Sequence, residues 1–134
     1  MECTNPRRLA NARVNLAWAH LLAGDVERAK ESLRGAREAQ PRLDTLVALF
    51  ADDLDARIAL AERKASSAEA RFREVAERAR ALALPLDEAR AEEGRAGALF
   101  AQKKLPAADA AAAHAEELVE ALAARIALGE GRDA

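Results

Sequence analysis

The residue types that most often carry out chemistry are scarce in this chain, and their spacing builds no familiar catalytic or metal-binding site. The chain has one cysteine, Cys3, and two histidines, His20 and His114. A metal site on a helix needs carboxylates or a second histidine three or four positions from a histidine. His20 has only apolar residues and glycine at those positions, and His114 has one carboxylate, Glu117, with which we expect a surface pair. The sequence therefore predicts no enzyme activity, metal ion or cofactor.

Clustered carboxylates and a short glycine motif are the other candidates for chemistry. The acidic clusters are Asp52, Asp53, Asp55, Glu92 and Glu93. An acid–base pair needs two carboxyl groups in unlike environments, and neighbouring residues of a helix point about 100° apart. We therefore expect a solvated, charged face. Gly94 and Gly97 form a fragment of a phosphate-binding pattern, but they follow no strand, so we expect them to allow close helix packing.

The composition requires helices to position these residues. Alanine and leucine fill 55 of the 134 positions, against nine β-branched residues and four aromatic ones. Such a chain favours helix and lacks the residues that build a sheet. The net charge of −2, with both signs mixed along the chain, argues against nucleic acid or an acidic membrane surface as partner. No stretch is long and apolar enough to span a membrane, and the lone Cys3 is typical of the reducing cytoplasm.

Prolines and glycines divide the chain into six predicted helices. Asn5 and Asp25 are suited to cap the first two, Pro6 fits the first helical position, and Gly24 fits the tight turn between them. Ser66 and Ser67 offer the cap of the fourth helix, and Asp87 starts the fifth. The predicted ranges are about 6–23, 25–40, 43–64, 66–84, 87–103 and 106–128, the last closed by Gly129.

The second helices of successive pairs share a repeated pattern of a small residue, a larger residue and a small residue. The three copies are Ala29, Leu33 and Ala36; Ala68, Phe72 and Val75; and Ala108, Ala112 and Ala115. Val26, Ala65 and Leu105 enter these helices at matching positions, and the spacing between copies is nearly constant. A small residue lets a neighbouring backbone approach closely, and the residue four positions later fills the space between helices. We expect Ala29, Ala68 and Ala108 at helix contacts.

The first of these units resembles the tetratricopeptide repeat family over residues 10–43. The matching positions are Leu16, Ala17, Gly24, Asp25, Val26, Ala29, Leu33, Ala36 and Pro41. Arg13 stands where the family usually has tryptophan, and His20 and Val26 stand where it has aromatic residues. The later units match less closely in their first helices, where Asp55 and Arg95 replace Leu16. Their period, longer than that of the family, is similar to degenerate long-helix repeats of large bacterial regulators, kinases and CHAT-type proteases.

The resemblance implies a right-handed superhelical stack of three antiparallel helix pairs in one domain over 1–134, with units 6–41, 43–84 and 86–128. Three repeats are about the minimum for stability. The first helices would line a concave surface that binds a protein or peptide, as a regulatory module of a larger bacterial protein. The predicted binding residues are Asn11, Asn15, Trp18, Asp53, Arg57, Arg90 and Glu93. Trp18 also suits the core between helix pairs.

Two alternatives remain open at this stage. Leu118, Leu122 and Ile126 give the last helix an apolar face that would bury against a neighbouring domain or in a homodimer. A closed helical bundle, acting as a structural or dimerisation domain and having no groove, accounts for the same helix pattern. The sequence names neither the partner nor the parent protein.

Overall fold

The chain is all-α. In the computed structural model the six helices are α1 Pro6–Leu22, α2 Val26–Ala39, α3 Thr45–Ala61, α4 Ala65–Ala81, α5 Pro85–Ala101 and α6 Leu105–Asp133. The structure describes the backbone of residues 5–133 and the side chains of residues 5–129, and this part of the chain contains no strand. Each helix packs against a neighbour, so the prediction of an all-α chain with six helices is confirmed.

Most helix starts follow the predicted capping chemistry. The Asn5 side chain accepts the Arg7 N–H at 2.9 Å, and the Asp25 carboxylate accepts the Arg28 N–H at 3.1 Å. α2, α4 and α6 begin at the predicted residues Val26, Ala65 and Leu105. These two caps each satisfy a backbone donor that the first helical turn leaves free.

Three predicted boundaries are wrong. Ser66 and Ser67 lie inside the first turn of α4 rather than capping it, because the preceding turn already starts the helix at Ala65. α5 starts at Pro85, not at Asp87, since proline needs no hydrogen-bond partner at the first helical position. α6 continues through Gly129 to Asp133, because a glycine weakens a helix by about 1 kcal/mol without ending it.

Four connections between helices adopt the same tight turn. The residue after each C-cap is left-handed: Gly24, Arg63, Ala83 and Lys103 have φ between 57° and 82°. In every case the next residue donates its backbone N–H to the carbonyl five positions earlier, with N···O distances of 2.8 to 3.0 Å. This is the Schellman arrangement, which satisfies carbonyls left free at a helix end. From α3 onward these turns give successive helices evenly spaced starts.

The described chain divides into two compact units, Met1–Lys64 and Ala65–Ala134. In the first unit α1 and α2 form an antiparallel pair, here called the first hairpin, and α3 contacts both helices. Val14, Leu33 and Leu54 form the centre of its core, at most 2% exposed. Ala29, one of the repeated small residues, is fully buried among them.

In the second unit α5 packs against both α4 and α6. We call α5 and α6 the last hairpin. Gly94 allows the close contact with α4, because a Cβ added at Gly94 would lie only 2.3 Å from Cε1 of the fully buried Phe72. The expectation that this glycine serves helix packing is confirmed. Ala68 and Ala108, the other repeated alanines, are also buried, at 0% and 7% exposure.

Candidate binding groove

The residues first examined for chemistry are held in structural contacts. Cys3 lies outside the described residues. Glu88 of α5 is 5% exposed, and its Oε2 lies 2.9 Å from the Arg80 side chain and 3.0 Å from His114 Nε2. Glu117, the expected partner of His114, is farther away, at 4.0 Å. The sequence did not reveal Glu88, because its partners belong to two other helices. Residues 5–129 contain no group of three metal-binding side chains.

The expected solvated face of carboxylates is only partly present. Asp53 and Glu92 are buried, at 3% and 5% exposure, which corrects the prediction for these two residues. The reason is local pairing. Arg57 donates to Asp53 at 2.7 Å from one helical turn away, and Arg95 lies 3.6 Å from Glu92. A buried carboxylate is tolerated when a cation and hydrogen bonds accompany it. Glu93, by contrast, is exposed.

The predicted binding residues of the first unit lie on α1 and α3. Asn15 is exposed, whereas Asn11 is half-buried and its Oδ1 is enclosed with no hydrogen-bond partner among the described residues. Trp18 is half-buried against the core, with its ring centroid 6.2 Å from that of Phe50 at an interplanar angle of 63°. Such an edge-to-face contact adds to the packing of α1 on α3. Trp18 therefore contributes to the helix contact inside this unit.

Arg90 and Glu93, the predicted binding residues of the second unit, are exposed and line a groove on the last hairpin. The groove has a volume of about 690 Å³. α5 contributes Leu86 and Ala89 beside Arg90 and Glu93, and α6 contributes residues between Asp109 and Glu120. We call this surface the terminal groove.

The floor of the terminal groove is apolar and its rim is acidic. Leu86 and Val119 remain 52% and 48% exposed, and alanines 112 and 113 lie between them. The charged side chains around them are Arg90, Glu93, Asp109, Glu116 and Glu120, one cation against four carboxylates. Large exposed apolar side chains grouped in a concave surface are typical of a protein interaction site.

The repeat shows what fills the corresponding surface on the first hairpin. Gly24 and Lys103 occupy the same left-handed position in the turns of the two hairpins, and aligning them places Leu33 on Ala112. Leu33 is 2% exposed because α3 packs over it, whereas Ala112 is exposed. The terminal groove is thus the surface that α3 covers on the first hairpin. It is also deeper, because alanine replaces leucine in its floor.

Ion pairs join α3 to the first hairpin. Arg37 of α2 donates to Asp55 at 2.7 Å and to Asp52 at 3.1 Å, and Lys30 donates to Glu62 at 2.9 Å. Burial alone would lower the pKa of Arg37, but the hydrogen bond to Asp55 outweighs it and the pKa is raised. The hydrogen bond to Glu62 likewise raises the pKa of Lys30. α2 therefore presents cations to the acidic side chains of the helix that it binds.

Comparison with known proteins adds no identification. No protein-family model matches the sequence, and neither a curated protein nor a solved structure matches it. None of the helices in residues 5–133 is long and apolar enough to cross a membrane.

Proposed function

We propose that this chain is a non-enzymatic protein–protein interaction scaffold that binds a helix of a partner in the terminal groove. The observation that carries the proposal is the internal comparison of the two hairpins. On the first hairpin α3 covers Leu33, whereas the matching Ala112 lies open in a groove of about 690 Å³. An amphipathic helix laid in an apolar groove is a common mode of protein recognition.

The tetratricopeptide-like pattern of residues 10–43 extends this proposal to biological context. It supports a regulatory or signalling module of a larger bacterial protein that acts in the cytoplasm. The concave surface with Asn11, Asn15 and Arg57 remains a second proposed contact region for an extended peptide. Of these three side chains, Asn15 is the exposed one.

A specific observation favours self-association as the second candidate function. Beyond the terminal groove, α6 carries Ile126 and Leu128 at 55% and 65% exposure, and Val119 lies in the groove itself. An exposed apolar stripe along one helix is suited to pairing with a second copy of the same helix. In that case the chain would act as a dimerisation domain.

A selection with displayed helical peptides tests the scaffold proposal for partners of any sequence. The full chain is the target, and the enriched peptides are then tested on two variants. Ala112→Trp fills the terminal groove, and Ala110→Trp is the matched control at an exposed alanine of the same helix that does not line it.

We expect enriched peptides that lose binding to Ala112→Trp and retain binding to Ala110→Trp. An Asn15→Lys variant reports on the concave surface and should bind the same peptides unchanged. Peptides lost only with Asn15→Lys would move the site to the concave surface. Failure to enrich any peptide would contradict the scaffold proposal. A dimer in sedimentation velocity that Ala112→Trp converts to a monomer would support self-association.

A further inference from the structure

The charges around the terminal groove are reversed relative to those that hold α3 on the first hairpin. The same alignment of the two hairpins places Lys30 on Asp109 and Arg37 on Glu116. Lys30 and Arg37 are the two α2 side chains that pair with acidic groups at α3. Both of their counterparts on α6 are carboxylates that line the groove.

This double reversal concerns the groove specifically. The matched positions fall on the same face of the second helix of each hairpin, because both hairpins close through the same turn. Arg7, which lies 2.9 Å from Asp44 at the start of α3, is replaced by Leu86. The terminal groove therefore lacks all three of the cations that contact α3 or its flanking residues. An acidic helix like α3 would meet like charges there, which disfavours binding.

We propose that the terminal groove selects a basic amphipathic helix of a protein partner, with lysine or arginine at the positions that Asp52, Asp55 and Glu62 occupy at α3. This inference rests on the proposed function, because it names the chemistry of the partner for that same groove. Apolar side chains of the helix fill the space over Ala112, and its cations face Asp109 and Glu116. Complementary rim charges of this kind mainly determine which partner binds.

Two synthetic peptides of identical length separate charge from shape. The first has the sequence of residues 45–62, which includes α3 and has one arginine against four carboxylates. The second carries Asp52→Lys, Asp55→Lys and Glu62→Lys, which gives four cations against one carboxylate. Each peptide is labelled with a fluorophore, and its binding to the full chain is measured by fluorescence anisotropy at low salt.

We expect the basic peptide to bind about tenfold more tightly than the acidic one, a difference of about 1.4 kcal/mol. The difference should shrink as salt screens the exposed rim. The variant Asp109→Lys with Glu116→Arg recreates the charges of the first hairpin, and it should reverse the order of the two peptides. Both positions lie on the exposed surface of α6, so we expect the variant to fold, which circular dichroism verifies.

The remaining outcomes distinguish the charge inference from the proposed function. If both peptides bind equally and both are lost with Ala112→Trp, the groove binds helices but the inference about charge is overturned. If neither peptide binds, or if Ala112→Trp changes nothing, the inference fails together with the proposed use of the groove. A dimer that dissociates on Ala112→Trp substitution would show that a second copy occupies the groove, which also overturns the inference.

Discussion

Replacing Gly94 by alanine tests the closest helix contact of the second unit. The added Cβ would lie 2.3, 2.5 and 2.7 Å from three ring atoms of Phe72, all inside the distance that carbon atoms tolerate. The ring is fully buried between α4 and α5, so it has no open space to enter. Relieving the clash requires a movement of about 1 Å in an interior packed as tightly as an organic crystal.

The magnitude follows from two opposing contributions. Overpacking of a buried contact costs about 1–3 kcal/mol. Alanine in place of glycine inside a helix gains about 1 kcal/mol. Because the obstacle is a fixed aromatic ring rather than a flexible side chain, we expect Gly94→Ala to lower the free energy of unfolding by about 2 kcal/mol. Urea denaturation followed by far-UV circular dichroism measures this change.

A control and a rescue make the Gly94 experiment specific. Gly129→Ala places the same substitution in α6 with no atom within 4 Å of the new Cβ, and it should be neutral or stabilising. Adding Phe72→Leu to Gly94→Ala should recover part of the lost stability, because the smaller side chain makes room. A Gly94→Ala variant that is about 1 kcal/mol more stable than the wild type would refute the reasoning, since that is the gain of an unobstructed helix.

Three further predictions concern the turns and the ion pairs. Ala83→Gly should raise the free energy of unfolding by about 1 kcal/mol, because it relieves a left-handed backbone, and Gly24→Ala should lower it by a similar amount; urea denaturation that ranked them oppositely would contradict this. Arg57→Ala removes the cation beside a buried aspartate and should cost roughly 3 kcal/mol in thermal unfolding, whereas no loss would argue against that pair. The hydrogen bond from Lys30 lowers the pKa of Glu62 below 4.5, so its stabilisation is present above that value and disappears as the pH falls through the folded pKa. The stability difference between the wild type and Glu62→Gln should therefore vanish in acid, and a difference that persists there would contradict the pairing.

The helices were predictable because their ends have local causes. Proline, the capping residues Asn5 and Asp25, and the repeated alanines each act within a few residues of their own position. The left-handed turns at Arg63, Ala83 and Lys103 were not predictable, because these residue types seldom adopt that conformation. Geometry of the whole turn, rather than the residue type, sets the backbone there.

The burial of charged residues was not predictable from spacing alone. Glu88 is enclosed by side chains from α4 and α6, and only the folded chain brings them together. The groove was partly accessible from the sequence, since the repeat already aligned Leu33 with Ala112. The change from a large to a small residue at that position is the feature that marks the unfilled surface. Its meaning required the structure, which shows α3 covering Leu33.

An NMR titration of the full chain with the basic peptide tests the central claim most directly. The claim is that the terminal groove is the surface that binds a partner helix. The account predicts that backbone amide shifts concentrate in residues 86–93 and 109–120. Shifts concentrated in residues 11–18 and 53–57, or spread evenly over the chain, would contradict it.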